Sequence, residues 1–475
     1  MDKSVEIDEL IAFIDAYEID GINKKNVEKC LALLTESIDE EFLQNRAEIY
    51  REAFFEKEEM REAISKLAVV CDGTEEGCRT CPVNKYCNHY ISTMRASVDD
   101  KSLKMIDLFC GAGGLSLGFS QEGFVTSLAN DIQDCCVDTY AHNHPETPRD
   151  HIILGDIKQV VDNVESLLRY TDVDIVVGGP PCQGFSEANR QRLIDDPRNQ
   201  LYKNFVQIVD KVKPKFFVME NVKGMLKVKD QVIEDFERIG YKVSAHVLNA
   251  KDYGVPQNRE RLIYIGNRLG IDNEILFDEI IASSGTIANH VLNDALYGLR
   301  ELQASRIKNS TSLDTEESGR KIEAKRTNEV NEYIDLINQG RSCVAVCNHK
   351  ARYNNDRDIE IYGRMCPGDK SDDPKIADIM PYKSRSDIFK DKYFKLEPDK
   401  VCKTITAHMK FDCNMYIHPF QARGLTPREA ARVQSYPDDY FFRGSYTKTY
   451  MQIGNSVPPL LGRAIAKVVK KYIVE

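Results

Sequence analysis

The chain has 475 residues, of which 42% are hydrophobic and 29% charged, so it can bury a sizeable core and is expected to divide into two or three units. No apolar run approaches the roughly twenty residues that a membrane-spanning helix needs, and the acidic first twenty residues do not resemble a signal peptide, so we expect a soluble cytoplasmic protein without a membrane partner. Residues 1–100 hold 12 Lys and Arg against 23 Asp and Glu, whereas the rest holds 52 of each, so any nucleic-acid surface must be a local basic patch after residue 100.

The first hundred residues are predicted to form a helical N-terminal module. Residues 5–18 and 24–36 have apolar side chains at helical spacing, and Ser37 with Glu40 forms a possible capping box for a third helix that reaches about Lys66. A loop with four cysteines follows, and then a polar link at about 92–104.

The cysteine loop contains Cys71, Cys78, Cys81 and Cys87. Only Cys78 and Cys81 form the short pair that zinc sites normally use twice, whereas one loop that wraps four thiolates suits a [4Fe–4S] cluster. With Pro82 after its third cysteine, the loop resembles the iron–sulfur loop of endonuclease III and MutY-like DNA glycosylases. Zinc and unliganded thiols stay open as alternatives. The other cysteines are scattered, as is typical of a reducing compartment.

From Lys104 the pattern alternates between strand, turn and helix up to about residue 267. This alternation predicts an α/β fold with a doubly wound sheet and ligand sites at the strand ends. The predicted strands are Lys104–Phe109, Val125–Ala129, Ile152–Leu154, Asp174–Val177, Phe216–Met219, Lys242–Leu248 and Arg261–Ile265, with helices at Leu201–Lys211 and Asp230–Ile239.

Two glycine-rich turns after strands are the most informative segments. Residues 107–114 (DLFCGAGG) form a turn in which backbone amides can approach a ligand closely, which predicts a cofactor site. Residues 178–186 (GGPPCQGFS) hold Cys182 behind two prolines, which indicates a reactive thiol. A thiol with an ordinary pKa near 8.5 is only slightly ionised at neutral pH, so this site needs positive charge nearby.

Carboxylates follow the next two strands. Asp131 ends the second predicted strand, where it can accept hydrogen bonds from ribose hydroxyls, and Asp156 follows the third, near an adenine ring. Acidic side chains at both positions suit a cofactor without an extra phosphate, such as S-adenosylmethionine, and disfavour NADP.

Together the two turns resemble the cofactor-binding and catalytic-loop motifs of the cytosine-5 DNA methyltransferases, and further motifs follow in the family's order over about 104–267 and 403–475. The resemblance implies that Cys182 is the nucleophile, that Glu220 contacts N3 of cytosine, and that Arg261, supported by Arg259, contacts O2. It implies that Phe109 stacks on adenine. The cofactor residues that it implies are Asp107, Phe109, Gly111, Gly113, Gly114, Asp131, Asp156, Ile157, Pro180, Leu201, Asn455 and Ser456.

The resemblance also divides the rest of the chain. Residues 101–267 would form the catalytic core, 268–420 a target-recognition region and 421–475 the part that completes the core. The catalytic loop would run from Gln183 to about Asn199, with Ser186 and Arg198 at DNA. Thr426 is predicted to cap a helix with Pro427 first and Glu429 third. Basic and aromatic side chains that could read DNA are Arg352, Tyr353, Arg357, Arg364, Lys383 and Arg385.

The implied function is transfer of a methyl group from S-adenosylmethionine to C5 of a flipped cytosine in a specific sequence of double-stranded DNA. The enzyme would modify DNA within a restriction–modification system, with a cognate restriction endonuclease as a possible partner. A tRNA cytosine-5 methyltransferase on the same fold is the alternative, although the long insertion after residue 267 suits duplex DNA better. A catalytically silent DNA-binding protein is a second alternative, which substitution of Cys182 would separate from an enzyme.

Overall fold

The computed structural model describes residues 81, 84, 87–96, 102–168, 172–181, 201–285, 287–308, 313–324, 330–339, 341, 345–381 and 392–474. The three helices predicted before residue 67 lie outside these residues. In the described part of the chain, no helix is long and apolar enough to cross a membrane.

A seven-stranded sheet forms the centre of the fold, in the order β3-β2-β1-β4-β5-β7-β6. β1 to β5 are parallel to one another, and β7 runs antiparallel to both β5 and β6. The strands are β1 Leu103–Leu108, β2 Phe124–Asp131, β3 Ile152–Leu154, β4 Ile175–Gly178, β5 Phe216–Val222, β6 Lys242–Asn249 and β7 Glu260–Asn267. A separate antiparallel pair joins β8 Ile322–Ala324 to β9 Ala345–Cys347.

Helices lie between and beyond the strands. They are α1 Asn88–Ala96, α2 Gly114–Gln121, α3 Asp134–Asn143, α4 Ile157–Leu167, α5 Leu201–Val212, α6 Lys229–Glu237, α7 Asn273–Ser284, α8 Leu292–Leu296, α9 Glu332–Asn338, α10 Asp356–Arg364, α11 Pro427–Val433, α12 Tyr446–Asn455 and α13 Pro459–Val474. Short 3-10 turns occupy Arg149–His151, Lys223–Val228, Ala250–Tyr253, Pro374–Ile376, Ala407–Lys410 and Asn414–Tyr416.

Both faces of the sheet are buried, which explains why its parallel strands read as nearly continuous apolar runs. Met105 of β1 faces a core that includes α2 and α13, whereas Ile106 faces a second core that includes α4, α5 and α6. The same alternation continues in β5, where Val218 joins the first core and Phe217 the second. The predicted doubly wound α/β fold is confirmed.

The antiparallel β7 was not predicted from the sequence pattern. Ten residues separate β6 from β7, and this link contains a 3-10 turn that ends at Gly254, whose φ of 80° is left-handed. A link of this length can join antiparallel neighbours, whereas a parallel crossover needs a dozen or more residues and usually a helix. As a result, the start of β7 lies at the same sheet edge as the ends of β1 to β5.

The chain after β7 packs partly on the first core. Phe277 of α7, Leu292 of α8 and Tyr333 of α9 belong to that core. Residues Ile361 and Tyr393 belong instead to a smaller cluster with Met365, Ile376 and Met380. The domain boundaries at 267/268 and 420/421 stay predictions.

Candidate functional site

The site lies at the carboxyl edge of the parallel strands, where β1 sits between β2 and β4 and the strand order reverses direction. Such a switch point opens a crevice in doubly wound sheets. The turn after β1 has left-handed backbone at Phe109 (φ 57°) and Gly111 (φ 55°). The Gly111 amide donates to Asp131 Oδ2 at 3.0 Å, and a Cβ placed on Gly111 would meet no atom within 4 Å. This side of the turn therefore has room for a ligand.

The other side of the turn is tightly packed. A Cβ on Gly113 would lie 2.9 Å from both His144 Nε2 and the Tyr440 hydroxyl, and one on Gly114 would lie 2.3 Å from Ser456 Oγ. Only glycine fits at these two positions. The Tyr440 hydroxyl donates to the Ala112 carbonyl and also contacts His144 Nε2 at 3.2 Å. The cofactor turn is thus held by a residue more than 300 positions away in the sequence.

Asp107 is the carboxyl residue of the turn, and its pKa is strongly shifted. It is buried at the end of β1 and accepts a hydrogen bond from Ser116, which in turn accepts one from the Tyr140 hydroxyl at 2.9 Å. Burial raises the pKa of Asp107 from 3.8 to about 7, although the hydrogen bond from Ser116 opposes the rise. Negative charge on nearby Asp131 adds to the rise.

The second predicted carboxylate, Asp131, ends β2. Its side chain accepts the backbone amides of Gly111 and Gln133, and burial raises its pKa despite these bonds. Asp156 is exposed and caps α4 by accepting the Lys158 amide at 2.9 Å, and Ile157 behind it is buried. These side chains therefore follow three neighbouring strands along the same sheet edge.

The catalytic candidates follow β4 and β5. Glu220 is 8% exposed, and its Oε1 lies 2.6 Å from Arg261 Nε on the neighbouring β7. A Cβ on Gly179 would lie 2.9 Å from Glu220 Oε2, so the carboxylate reaches over the segment that leads to Cys182. Asn221 donates to the Pro180 carbonyl at 2.9 Å and fixes that segment.

Cys182 itself lies outside the described residues, as do the predicted loop from Gln183 to Asn199 and its Ser186 and Arg198. The described chain resumes at Leu201, which begins α5 and is partly buried against the second core.

Arg259 differs from Arg261 in where its guanidinium points. It is 1% exposed and donates to the carbonyls of Ile405, Gly454 and Ser456 at 2.7 to 3.1 Å. Burial lowers its pKa well below the ordinary value. Arg259 thus holds the segment with the predicted cofactor residues Asn455, which is exposed, and Ser456, which is buried. Arg261 therefore contacts Glu220, whereas the guanidinium of Arg259 donates to backbone carbonyls.

The predicted cap of the helix at Thr426 is confirmed. Thr426 accepts the Glu429 amide, the Glu429 carboxylate accepts the Thr426 amide, and Pro427 occupies the first helical position of α11. Both Glu429 and Arg423 are buried and form a two-pronged ion pair at 2.7 and 2.8 Å. Although burial alone would raise it, the pKa of Glu429 is held well below its usual range by Arg423 and His418.

The side chains that were predicted to read DNA differ in their exposure and in their hydrogen-bond or ion-pair partners. Arg352 donates to the carbonyls of Met409 and Phe411, and Arg364 pairs with Glu360 and Asp378. Of the others, Arg357 is exposed, Tyr353 is half-buried with the Lys308 ammonium 5.5 Å from its ring centre, and Lys383 and Arg385 lie outside the described residues.

The predicted metal ligands are only partly described. Cys81 is half-buried and Cys87 buried, whereas Cys71 and Cys78 fall outside the described residues. Within the described ranges, no group of three or more His, Cys, Asp or Glu side chains could hold a metal ion. The iron–sulfur or zinc site therefore receives no support and stays a prediction.

The residues around the glycine turn fit S-adenosylmethionine. Space at Gly111 admits a ligand, while Asp131 and Asp156 offer carboxylates where a phosphorylated cofactor would need cations. Sequence reasoning missed the aromatic side chains behind the turn, which are Tyr140, His144, Tyr436 and Tyr440. Gly113 and Gly114 are close to these aromatic side chains, but the sequence does not show which residues pack against them.

Comparison with known proteins supports the same chemistry. Residues 103–471 match the sequence model of the C-5 cytosine-specific DNA methylases. The chain is 38% identical to the Type II methyltransferase M1.HphI of Haemophilus parahaemolyticus over 381 residues, which cover 78% of this chain and 87% of the relative. It is 34% identical to M.DdeI of Desulfomicrobium norvegicum over 398 residues, covering 78% and 89%. A crystal structure of a candidate DNA modification methyltransferase from an Escherichia coli prophage aligns with a TM-score of 0.62 and 25% identity, over 79% of this chain and all of that one.

Proposed function

This chain belongs to the C-5 cytosine-specific DNA methylase family, and from that premise we propose which of its residues carry the transfer of a methyl group to DNA. The protein is a DNA cytosine-5 methyltransferase. The proposal concerns the roles of single residues, the cofactor contacts, and the reading of one short duplex sequence.

The cofactor pocket is the turn after β1 together with the ends of β2 and β3. S-adenosylmethionine supplies, when bound, a methyl group on a positively charged sulfur. The backbone from Gly111 to Gly114 lines the cofactor pocket, Asp131 accepts hydrogen bonds from the ribose, and Asp156 and Ile157 border the adenine. Phe109, Pro180 and Leu201 border the pocket, and Asn455 and Ser456 close it from α12.

The nucleophile is Cys182. Its thiolate adds to C6 of the cytosine, which makes C5 nucleophilic enough to accept the methyl group. As the bond from the methyl group to C5 forms, its bond to the sulfonium sulfur breaks and the sulfur leaves as a neutral thioether. A water molecule then takes the C5 proton, and the electrons of the C5–H bond expel the thiolate from C6, which restores the aromatic ring and frees Cys182. Because C6 of a stacked base is out of reach, the cytosine must be flipped out of the duplex. The predicted catalytic loop, from Gln183 to about Asn199, would contact the DNA during this step.

The pair of Glu220 and Arg261 stabilises the charge that builds on the ring during attack. Glu220 gives a proton or a hydrogen bond at N3, and Arg261 places positive charge beside O2. The observation that carries this assignment is the position of Glu220, which contacts Arg261 at 2.6 Å and reaches over Gly179, three residues before Cys182. Arg259 acts as a positioning residue, since its donors hold the segment at Gly454 and Ser456.

The enzyme reads its DNA with the region between β7 and α11 and serves as the modification enzyme of a restriction–modification system. The Type II names of its relatives support this role, and a cognate restriction endonuclease that cuts the same sequence would be its partner. The alternative of a tRNA substrate is not favoured, because these curated relatives are named as Type II methyltransferases.

The test is bisulfite sequencing of DNA from a host without cytosine methylation that expresses the full chain. Wild type is expected to protect cytosines in one short recurring context, and Cys182→Ala and Glu220→Gln are expected to lose this protection. Glu260→Gln is the matched control. It is the same substitution as Glu220→Gln, but Glu260 is exposed at the start of β7, where it pairs with Lys223. Soluble wild-type protein that protects no cytosine would contradict the proposal.

A further inference from the structure

A short turn between β7 and α11 is anchored directly to the residues that lead into β7. The Ile405 amide donates to Gln257 at 2.7 Å, and the Thr404 hydroxyl donates to the Asn258 carbonyl at 2.6 Å. Arg259 donates to the Ile405 carbonyl at 2.8 Å. The segment that enters the 3-10 turn Ala407–Lys410 is therefore fixed to the residues immediately before Arg261.

The turn also has contacts on its buried side. Arg352 donates to the carbonyls of Met409 and Phe411 at 2.9 and 3.0 Å, and Met409 is fully buried. A Cβ on Gly454 would lie 2.2 Å from the Ala407 amide nitrogen, so the turn rests on the segment that leads to Asn455. These contacts give the turn a fixed position between residues 257–259, which precede β7, and residues 454–456.

The outer side of the turn carries three side chains that suit nucleic acid. Phe411 is 63% exposed, His408 is exposed, and Lys410 is half-buried. The Lys410 ammonium lies 4.9 Å from the Phe411 ring centre, and the His408 ring meets the same ring edge-on at 5.3 Å. Single exposed apolar residues are ordinary on protein surfaces. An exposed aromatic ring that contacts Lys and His side chains on a turn with fixed backbone is less ordinary, and it suits a ligand with both rings and negative charge.

Within the described part of the chain, exposed phenylalanine is rare. Phe411 and Phe420 are the two exposed phenylalanines there, and both lie between β7 and α11. Other phenylalanines, such as Phe205 and Phe217, are buried. Aromatic side chains stack on the exposed bases of single strands, and in duplex DNA phenylalanine can insert between base steps, while a neighbouring Lys or Arg contacts phosphate.

We propose that the turn formed by His408, Lys410 and Phe411 contacts the DNA duplex beside the target cytosine, with Phe411 packed on a base. This inference rests on the proposed function and deepens it by naming one contact surface within the predicted target-recognition region. Lys410 contacts phosphate and positions the duplex, and Phe411 contributes to the choice of sequence.

The experiment measures DNA binding by fluorescence anisotropy, with a duplex that carries the context found by bisulfite sequencing and with a scrambled duplex. Phe411→Ala is expected to weaken binding of the cognate duplex about tenfold or more and to narrow the difference between the two duplexes. Lys410→Gln is expected to weaken both alike and to lower the slope of log K against log salt by about one. Leu269→Ala is the matched control, since Leu269 is 47% exposed just beyond β7, at the opposite edge of the sheet.

Binding of S-adenosylmethionine is measured in parallel and is expected to stay at the wild-type value in all three variants, which shows that they fold. Wild-type methylation with unchanged DNA binding by both Phe411→Ala and Lys410→Gln would overturn the inference and leave the proposed function standing. Failure of the wild-type protein to methylate DNA would overturn both.

Discussion

Asp107→Asn is the substitution whose effect the structure defines most closely. The carboxyl group is buried at the end of β1, and burial raises its pKa from 3.8 to about 7. Because the folded protein binds this proton more tightly than the unfolded chain, stability falls as the pH rises from about 4 to about 7. The difference in pKa corresponds to about 4 kcal/mol of destabilisation at pH 8, all of it absent below about pH 4.

An asparagine at position 107 keeps the hydrogen-bond acceptor for Ser116 but removes the ionisation. Urea denaturation should therefore show the variant close to wild type at pH 4 and more stable by about 4 kcal/mol at pH 8. Calorimetric titration should show weaker S-adenosylmethionine binding, since the buried carboxyl group belongs to the predicted cofactor turn. Asp272→Asn, at the exposed N-cap of α7, serves as the control. A variant that tracks wild type in parallel from pH 4 to 8 would refute the burial argument.

Three further substitutions test other parts of the site. Tyr440→Phe leaves the Ala112 carbonyl without its buried donor, so urea denaturation should show a loss of about 1–3 kcal/mol and titration a weaker affinity for S-adenosylmethionine; unchanged values in both would count against the aromatic support. Glu429→Gln breaks a buried ion pair and should cost about 3–5 kcal/mol at pH 7, and because the folded pKa of Glu429 is depressed, wild type should lose this stability as the pH falls below the ordinary carboxyl range; a neutral effect at pH 7 would exclude that role. Arg261→Met should lower kcat about 100-fold or more in a methyl-transfer assay and should also lower the unfolding free energy, because it removes one partner of a mostly buried ion pair. Arg259→Met should lower the unfolding free energy by about 3 kcal/mol or more and should lower kcat less than Arg261→Met does; a larger loss of kcat in Arg259→Met would exchange their roles.

The strands were predictable because their apolar runs are buried on both faces. β3 was predicted residue for residue, and β1 and β4 within one residue at either end. The direction of β7 was not predictable from the apolar pattern, since most of β7 is buried and its sequence reads as the same kind of apolar run as the parallel strands. The ten residues between β6 and β7 were the available signal, because a link of that length rarely forms a parallel crossover.

The site was predictable where the chemistry sits in short motifs and not where it depends on packing. Glu220 and Arg261 lie in recognisable segments, and the structure places them 2.6 Å apart. The resemblance assigned Arg261 to O2 and Arg259 to support, but the residues alone do not show that the Arg259 guanidinium donates to the carbonyls of residues 405, 454 and 456, which are distant in the sequence. The support of the cofactor turn by Tyr440 and His144 depends on contacts across the whole chain, and no local spacing reveals it.

The central claim is that Cys182 attacks cytosine in DNA within this site. The most direct test incubates the purified full chain and S-adenosylmethionine with a cognate duplex whose target base is 5-fluorocytosine. After methyl transfer the fluorine at C5 cannot leave as a proton does, so the C6–S bond should persist. We predict a protein–DNA band that survives denaturing electrophoresis, requires S-adenosylmethionine, and is lost in Cys182→Ala. A band of equal intensity in Cys182→Ala, or none with wild type that methylates the ordinary duplex, would contradict the account.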